Sequence, residues 1–366
     1  MTLTIISVGT LFLLLVFGWI MPALTQPTLP FGVRVPPERA SDPAIARVRR
    51  GYRAALLIGF VAVAAAVVTL SRGTRTLWLG QVVALIGIAV YSGAYYVAHR
   101  RLHEIKLREG WYAGQREALV ANIAAPVGRA TFPILWLLPA LAVLAATIVI
   151  GVVRYPKLPA TIATHFAFNG TPNGFSAKMP GAFLLAGMEV ALTLLFGALA
   201  WFIPRLRYDV DPADPHASAE RQRIFRVRWS RALLLFAALT NLSMLFGSLL
   251  IWQVLPSNHP LTLVATLAPA ALILLGAFGL SIVTGQGGAR MRVAGSSAKT
   301  GYVHRDDDRF WKGGMIYYNP DDPALLVEKR FGVGWTLNFA RPSAWVFIGA
   351  VVAVIAASAL LPVLLK

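Results

Sequence analysis

The stretch LTLVATLAPAALILLGAFGLSIVT (residues 261–284) contains no charged side chain. As an α-helix it is long enough to cross a bilayer core of about 30 Å, which requires about 20 apolar residues. Seven similar runs accompany it in a chain that is 57% hydrophobic, with a mean hydropathy of +0.64. The eight runs cover residues 4–21, 54–70, 77–98, 132–153, 181–203, 232–254, 261–284 and 343–365. We therefore predict an all-α polytopic membrane protein with about eight transmembrane helices.

The cations between these runs alternate in number. From the N-terminus, the segments outside the runs contain 0, 6, 2, 6, 3, 7, 0, 9 and 1 Lys or Arg. The positive-inside rule assigns cation-rich loops to the cytoplasm, which predicts four basic cytoplasmic loops and two extracytoplasmic termini. The net charge of +18 is spread over separate loops. This favours anionic lipid headgroups at the cytoplasmic face as partners and argues against direct nucleic-acid binding.

The composition also excludes several classes of site. The chain has no Cys, so thiolate nucleophiles and Cys-ligated metals are excluded. Of the 16 acidic residues, Glu189 alone lies outside the predicted cytoplasmic loops. An extracytoplasmic surface without carboxylates suits neither a hydrolase that uses paired acids nor a site for a hard cation. We expect a non-enzymatic protein with no cofactor and no metal site.

Glu189 lies about 12 Å into the fifth run, at 1.5 Å per residue, and so near the middle of the bilayer. A carboxyl group at that depth must be neutral or partnered. It is a functional candidate, as a proton carrier or as the anchor of a cationic substrate. The structural alternative is a protonated carboxyl that bonds Asn241 or Ser243 of the sixth run and holds two helices together. The sequence leaves both open.

The predicted extracytoplasmic segment between the fourth and fifth runs reads YPKLPATIATHFAFNGTPNGFSAK (residues 155–178). Its prolines end the preceding helix. Ile162, Thr164, Phe166 and Phe168 then alternate with smaller or polar residues, which is typical of a strand. Asn-Gly and Pro-Asn-Gly are turn signals. We predict a small hairpin over residues 155–178 whose Phe-bearing face packs on the helix ends.

The Tyr-Pro-x-Leu-Pro, His-Phe, Asn-Gly and Asn-Gly-Phe-x-x-Lys elements of this segment resemble the short domain of unknown function found in SdpI-like bacterial membrane proteins. The namesake of that family confers immunity to a secreted toxic peptide and draws a repressor to the membrane. The resemblance implies a peptide ligand outside and a protein partner inside. The candidate binding residues here are Tyr155, Pro156, Pro159, His165, Phe166, Asn169, Gly170, Asn173 and Gly174.

His165 has more than one interpretation. It could ligate a metal together with His259, or sense pH near its unperturbed pKa of about 6.5. Two histidines without an acid make a poor metal site. We therefore favour a histidine that hydrogen-bonds the backbone of a tight hairpin.

Residues 285–342 form the longest predicted cytoplasmic loop. Its strings DDDRFWKGGMIYYNPDDP (306–323) and LVEKRFGVGWTLNF (326–339) resemble a second bacterial domain of unknown function. We predict a small β-rich segment over residues 302–340, in which strands at 315–318 and 325–328 flank the Asn-Pro-Asp-Asp-Pro turn and 335–339 is a third strand. The acidic groups could hold Mg²⁺, but we favour solvated turn residues. The candidate residues for docking a partner are Trp311, Tyr317, Asn319 and Trp335.

The first cytoplasmic loop contains Gly32-Val33-Arg34-Val35-Pro36, which resembles a Gly-x-Arg-x-Pro element of the SdpI-like proteins. Asp42 then precedes an Arg-rich helical stretch as a plausible N-cap.

These observations divide the chain into residues 1–131, with three runs; 132–203, the SdpI-like region; 204–284, with runs six and seven; 285–342, the aromatic-rich loop; and 343–366, the last run. The favoured function is an immunity or signal-sensing membrane protein. The alternative is a proton-coupled transporter, or a lipid-modifying enzyme, centred on Glu189.

Overall fold

The computed structural model describes residues 2–70, 79–118, 132–167, 170–206, 209–293 and 301–364. Its helices are α1 (Thr2–Leu24), α2 (Pro43–Leu70), α3 (Leu79–Arg108), α4 (Leu138–Arg154), α5 (Lys178–Gly181), α6 (Leu184–Phe202), α7 (Pro215–Ile251), α8 (Pro260–Thr284) and α9 (Pro342–Leu364). Its strands are β1 (Glu117–Ala118), β2 (Thr161–Phe166), β3 (Pro172–Ala177), β4 (Val303–His304), β5 (Trp311–Lys312), β6 (Ile316–Tyr317), β7 (Leu326–Glu328) and β8 (Trp335–Leu337).

The helices support a multi-pass membrane protein. Each predicted apolar run overlaps a long helix, and within the described residues seven helical segments are long and apolar enough to cross a membrane. The last run lies in α9, a helix of 23 residues without a charged side chain. Three helices extend well beyond their apolar runs, since α2 begins at Pro43, α3 continues to Arg108 and α7 begins at Pro215. Hydropathy locates the apolar part of a helix, but it does not reveal how far the helix continues into polar sequence.

The start of α2 follows the predicted capping. The Asp42 carboxylate accepts a hydrogen bond from the Ala44 backbone N–H at 2.9 Å, which occupies one of the amide groups left open at a helix N-terminus. That bond lowers the pKa of Asp42. The sequence-based assignment of the cap is confirmed.

The described chain forms two compact units. The first comprises Met1–Ala125, Arg207–Arg221 and Val283–Arg341, and the second Pro126–Leu206, Gln222–Ile282 and Pro342–Lys366. Both units are therefore discontinuous in sequence.

In the first unit α1, α2 and α3 pack on one another. Glycines allow the close approach: a Cβ on Gly59 would lie 2.5 Å from Val90 Cγ1, and one on Gly87 would lie 2.9 Å from Leu14 Cδ1. The core beneath them includes Leu24, Leu56 and Leu102 among other buried residues.

The strands of residues 301–341 differ from the predicted arrangement. β6 pairs with β5 through a Gly-Gly turn, and β7 pairs with β8, each antiparallel. The Asn-Pro-Asp-Asp-Pro turn therefore separates two hairpins instead of closing one. β4 pairs in parallel with β1, far away in sequence. The predicted β-rich character is present, but the pairing depends on long-range contacts that local turn signals do not encode.

In the second unit, β2 and β3 form the predicted antiparallel hairpin. Its buried face packs on a cluster that includes Leu158, Ile162, Ala182 and Trp252, with Phe166 partly buried against it. Trp252 is fully buried, and its indole N–H donates to Ala182 O at 2.8 Å. This tryptophan joins the end of α7 to the hairpin and to the start of α6.

Replacing Trp252 with alanine should lower the free energy of unfolding by about 3 to 5 kcal/mol, because the change leaves a cavity in a buried apolar cluster and removes the hydrogen bond to Ala182 O. Unfolding by sodium dodecyl sulfate in mixed micelles measures the change. Trp345→Ala is the matched control, since this indole is 60% exposed in α9, and it should shift the free energy far less. Equal effects of the two variants would contradict the structural role of Trp252.

Candidate functional site

The tip side of the hairpin presents a paired histidine and asparagine. His165 Nδ1 lies 2.5 Å from Asn173 Oδ1, and both side chains are exposed. The favoured bond from His165 to the backbone is therefore wrong, because the neighbouring strand brings Asn173 within reach. Gly174 lies opposite His165, and a Cβ there would stand 2.8 Å from the His165 Cβ. Glycine at this position allows the close approach.

The other candidate residues of the hairpin divide between its two faces. Tyr155 packs on Phe183 with ring centroids 5.5 Å apart, and Lys178 Nζ lies 4.5 Å from the Tyr155 ring centre. Pro156 and Pro159 are exposed. Gly170 is buried and has a φ of +80°, a backbone conformation that glycine adopts readily in a turn. Asn169 and Phe168 lie outside the described residues.

A second candidate site lies in the first unit, where two buried arginines meet the acidic run. Arg34 Nε lies 2.6 Å from Asp307 Oδ1, and the Arg34 backbone N–H donates to Asp308 at 3.0 Å. Arg330 bonds both carboxylates and donates to Gly32 O at 3.1 Å. These contacts fix the Gly-x-Arg-x-Pro loop to residues 307–330.

Lys106 of α3 extends this network. Its Nζ lies 2.6 Å from Asp308 Oδ2 and 2.7 Å from Asp306 Oδ2, and its side chain is 2% exposed. We call the set of Arg34, Lys106, Asp306–Asp308 and Arg330 the ionic network. The expectation that Asp306–Asp308 are solvated turn residues is wrong, because cations distant in sequence surround them.

The network sets the ionisation of its acids. Burial alone raises the pKa of Asp307, but the charges of Arg34 and Arg330 outweigh it and hold that pKa below its usual range. For Asp308, burial again opposes ionisation. A hydrogen bond from His103 and the charges of Arg330 and Lys106 nevertheless hold its pKa well below the usual range. Both acids are therefore ionised at neutral pH.

Beside the ionic network lies a cavity of about 380 Å³. Its wall includes Trp311, Tyr317 and Asn319, together with Arg34 and Arg330. All three candidate side chains are at least nine-tenths buried, so they form a cavity wall and not an open docking surface. Trp335 is half-buried and lies in β8. The exposed apolar side chains of this segment are instead Met315, Ile316 and Tyr318, together with Tyr302.

The acidic turn beside the cavity is built from hydrogen bonds. Tyr317 Oη donates to Asp322 Oδ2 at 2.9 Å, and the Asn319 amide donates to Tyr317 Oη at 3.0 Å. Asn338 donates to the carbonyls of Asn319 and Asp322. Within the described residues, no group of three His, Cys, Asp or Glu side chains could hold a metal ion. The Mg²⁺ alternative therefore has no support from the geometry.

The third candidate is Glu189 in α6. It is fully buried, and neither carboxyl oxygen has a hydrogen-bond partner among the described residues. The alternative with a bond to Asn241 or Ser243 is wrong in geometry. Asn241 Nδ2 donates to Thr193 Oγ1 at 2.8 Å and to Ala140 O at 3.1 Å, while Ser243 donates to Thr266 O.

Two segments match known families. Residues 142–190 match a domain of unknown function, DUF1648, and residues 320–345 match a family of unknown function, DUF5808. No curated protein and no solved structure matches the chain. The expectation that these two regions are domains of unknown function is confirmed. The first match includes the hairpin and Glu189, and the second includes part of the cavity wall.

Sequence reasoning missed the ionic network. Arg34 belongs to the Gly-x-Arg-x-Pro element, and Arg330 belongs to the aromatic-rich segment 326–339. Neither sequence pattern indicates which residue its arginine contacts. Lys106 follows an apolar run and is indistinguishable in sequence from any cation near a helix end.

The ionic network should make stability fall with acid. A carboxyl whose pKa is lowered by folding stabilises the protein above its unfolded pKa, about 3.9, and this contribution is lost as the pH falls further. We expect the thermal unfolding temperature to drop as the pH falls below about 4. Asp308→Asn should remove part of that drop and cost about 3 to 5 kcal/mol at neutral pH, since Arg330 and Lys106 lose a buried partner.

Thermal unfolding followed by circular dichroism over a pH series measures both effects. Asp321→Asn is the matched control, because this acid is exposed in the same segment. It should reproduce the wild-type profile. An Asp308→Asn profile that also matches wild type would refute the assignment.

Proposed function

We propose that this chain is a non-enzymatic membrane protein of the immunity or signal-sensing type in a bacterial cytoplasmic membrane. In this proposal the hairpin at residues 155–178 is extracytoplasmic and meets a peptide or lipid ligand. Residues 301–341 are cytoplasmic and dock a protein partner. The resemblance to SdpI-like proteins and the alternation of loop charge support this arrangement.

The observation that carries the proposal is the construction of the hairpin. Ile162 and Phe166 anchor one face on the Trp252 cluster, while His165 and Asn173 stay exposed on the other. Phe175, next to them on β3, is 52% exposed. A loop that is held rigidly and yet presents an apolar ring beside a polar pair suits recognition better than a passive connection.

The surface for the protein partner is the exposed set Met315, Ile316 and Tyr318. These residues adjoin β6, whose Tyr317 is anchored by Asp322 and by the Trp311 ring 4.9 Å away. The exposed side chains are therefore carried by a fixed strand, as a docking surface requires.

His165→Ala combined with Asn173→Ala should abolish protection against the ligand, because the change removes the exposed polar pair and leaves the anchoring face intact. The measurement is growth of a deletion strain carrying each variant against a panel of membrane-active peptides. His259→Ala is the matched control: this histidine is exposed outside the hairpin, and full protection is expected. Immunoblots of membrane fractions verify equal amounts of protein. Full protection by the double variant would overturn the receptor proposal.

A second candidate function, proton-coupled transport, is favoured by one observation, the buried carboxyl of Glu189 without a partner. Lipid modification centred on the same residue is favoured by no further observation.

The transport candidate predicts that proteoliposomes containing the wild-type chain acidify in response to a pH gradient faster than vesicles containing Glu189→Gln. The glutamine keeps the size of the side chain but cannot exchange a proton. A pH-sensitive dye inside the vesicles reports the flux. Equal rates for the two proteins would remove this candidate.

A further inference from the structure

Glu189 and three other polar side chains form a buried cluster that involves three helices of the second unit. Thr147 comes from α4, Glu189 and Thr193 from α6, and Asn241 from α7. All are at least 95% buried. Such a group is unusual inside a membrane-spanning bundle, where polar side chains are costly and tend to mark functional positions.

The orientation of the Asn241 side-chain amide is determined by the groups that accept its hydrogen bonds. Ala140 O is a backbone carbonyl and accepts only, so the group that faces it must be the amide NH₂. The same NH₂ donates to Thr193 Oγ1, one helical turn from Glu189. Asn241 Oδ1 is consequently turned away from both, and it has no hydrogen-bond donor among the described residues.

The cluster therefore contains an excess of acceptors. Among the described residues, neither oxygen of Glu189 nor the Oδ1 of Asn241 has a hydrogen-bond partner. The hydroxyl of Thr147 is a neighbour of Glu189, but its single proton is donated to Val143 O. An ionised carboxylate would add a charge that no cation of the described residues balances, at a cost far above that of a neutral acid. A bound proton removes that charge.

We infer that Glu189, Thr193 and Asn241 form a proton-binding site, in which Glu189 takes up and releases the proton and the Asn241–Thr193 pair positions the acceptors around it. A divalent metal does not fit, because a single carboxylate cannot balance its charge. Na⁺ fits poorly, because three oxygens are fewer than a hard cation requires. The inference rests on the transport candidate and adds the residues that surround its proton site, but proton binding does not itself require transport.

Infrared difference spectroscopy tests the site directly. The full-length chain in vesicles of phosphatidylethanolamine and phosphatidylglycerol is compared between acid and alkaline buffer. We expect a carbonyl band of a buried carboxylic acid that is lost in Glu189→Gln. The band should shift in frequency in Asn241→Ala and Thr193→Ala, since the groups around the acid change. Ser243→Ala is the matched control on α7, because its hydroxyl bonds Thr266 O, and its band should match wild type.

Three results would overturn the inference: a spectrum of Glu189→Gln identical to that of wild type, a band unaffected by both positioning variants, or a band converted to carboxylate when Na⁺ replaces choline at constant pH. Glu189→Asp is the control for misfolding. Because this variant keeps a carboxylic acid at the site, a correctly folded protein should show the carbonyl band at a shifted frequency. A wild-type band together with absent proton flux would reject transport and leave the proton site standing.

Discussion

A polar group that is removed from water must find its partner within the protein, and both units are organised by this requirement. In the first unit, buried cations and carboxylates satisfy one another by forming ion pairs. Arg34, Lys106 and Arg330 are almost fully buried, and each faces a carboxylate of Asp306–Asp308. Strands of two or three residues would not hold residues 301–341 in place by themselves. The ionic network supplies the attachment, and Tyr95 of α3 adds hydrogen bonds to Phe31 O and Gly313 O.

The second unit meets the same requirement with neutral groups. The Trp252 indole donates to Ala182 O, and Asn241 bridges α4 and α6 through Ala140 O and Thr193. Glu189 is the exception, since no donor reaches its carboxyl among the described residues. A carboxyl group buried with neither oxygen hydrogen-bonded calls for a functional explanation.

The parts of this structure that the sequence could predict are those with local signals. Hydropathy located the helices, the alternation at residues 161–166 located a strand, and Asp42 marked a helix start. The ionic network had no such signal, because Arg34 and Asp308 are 274 residues apart and Lys106 and Asp308 are 202 apart. An acidic run has the same letters whether water or buried cations surround it. The pairing of His165 with Asn173 was missed for a related reason, since it depends on the register of two strands and not on either strand alone.

The two matched segments are pieces of larger units and do not stand by themselves. Residues 320–345 contain Arg330, yet its partners Asp307, Asp308 and Gly32 lie outside that match. Residues 142–190 contain the hairpin and Glu189. Trp252, which directly follows α7 and packs against the hairpin, lies outside that match, as does Asn241 of α7, which bonds Thr193 one helical turn from Glu189. Each segment therefore presents buried polar or apolar groups that only the rest of its unit can cover. A role assigned to either segment has to include the residues that complete it, which here means Arg34 and Lys106 for one and Trp252 and Asn241 for the other.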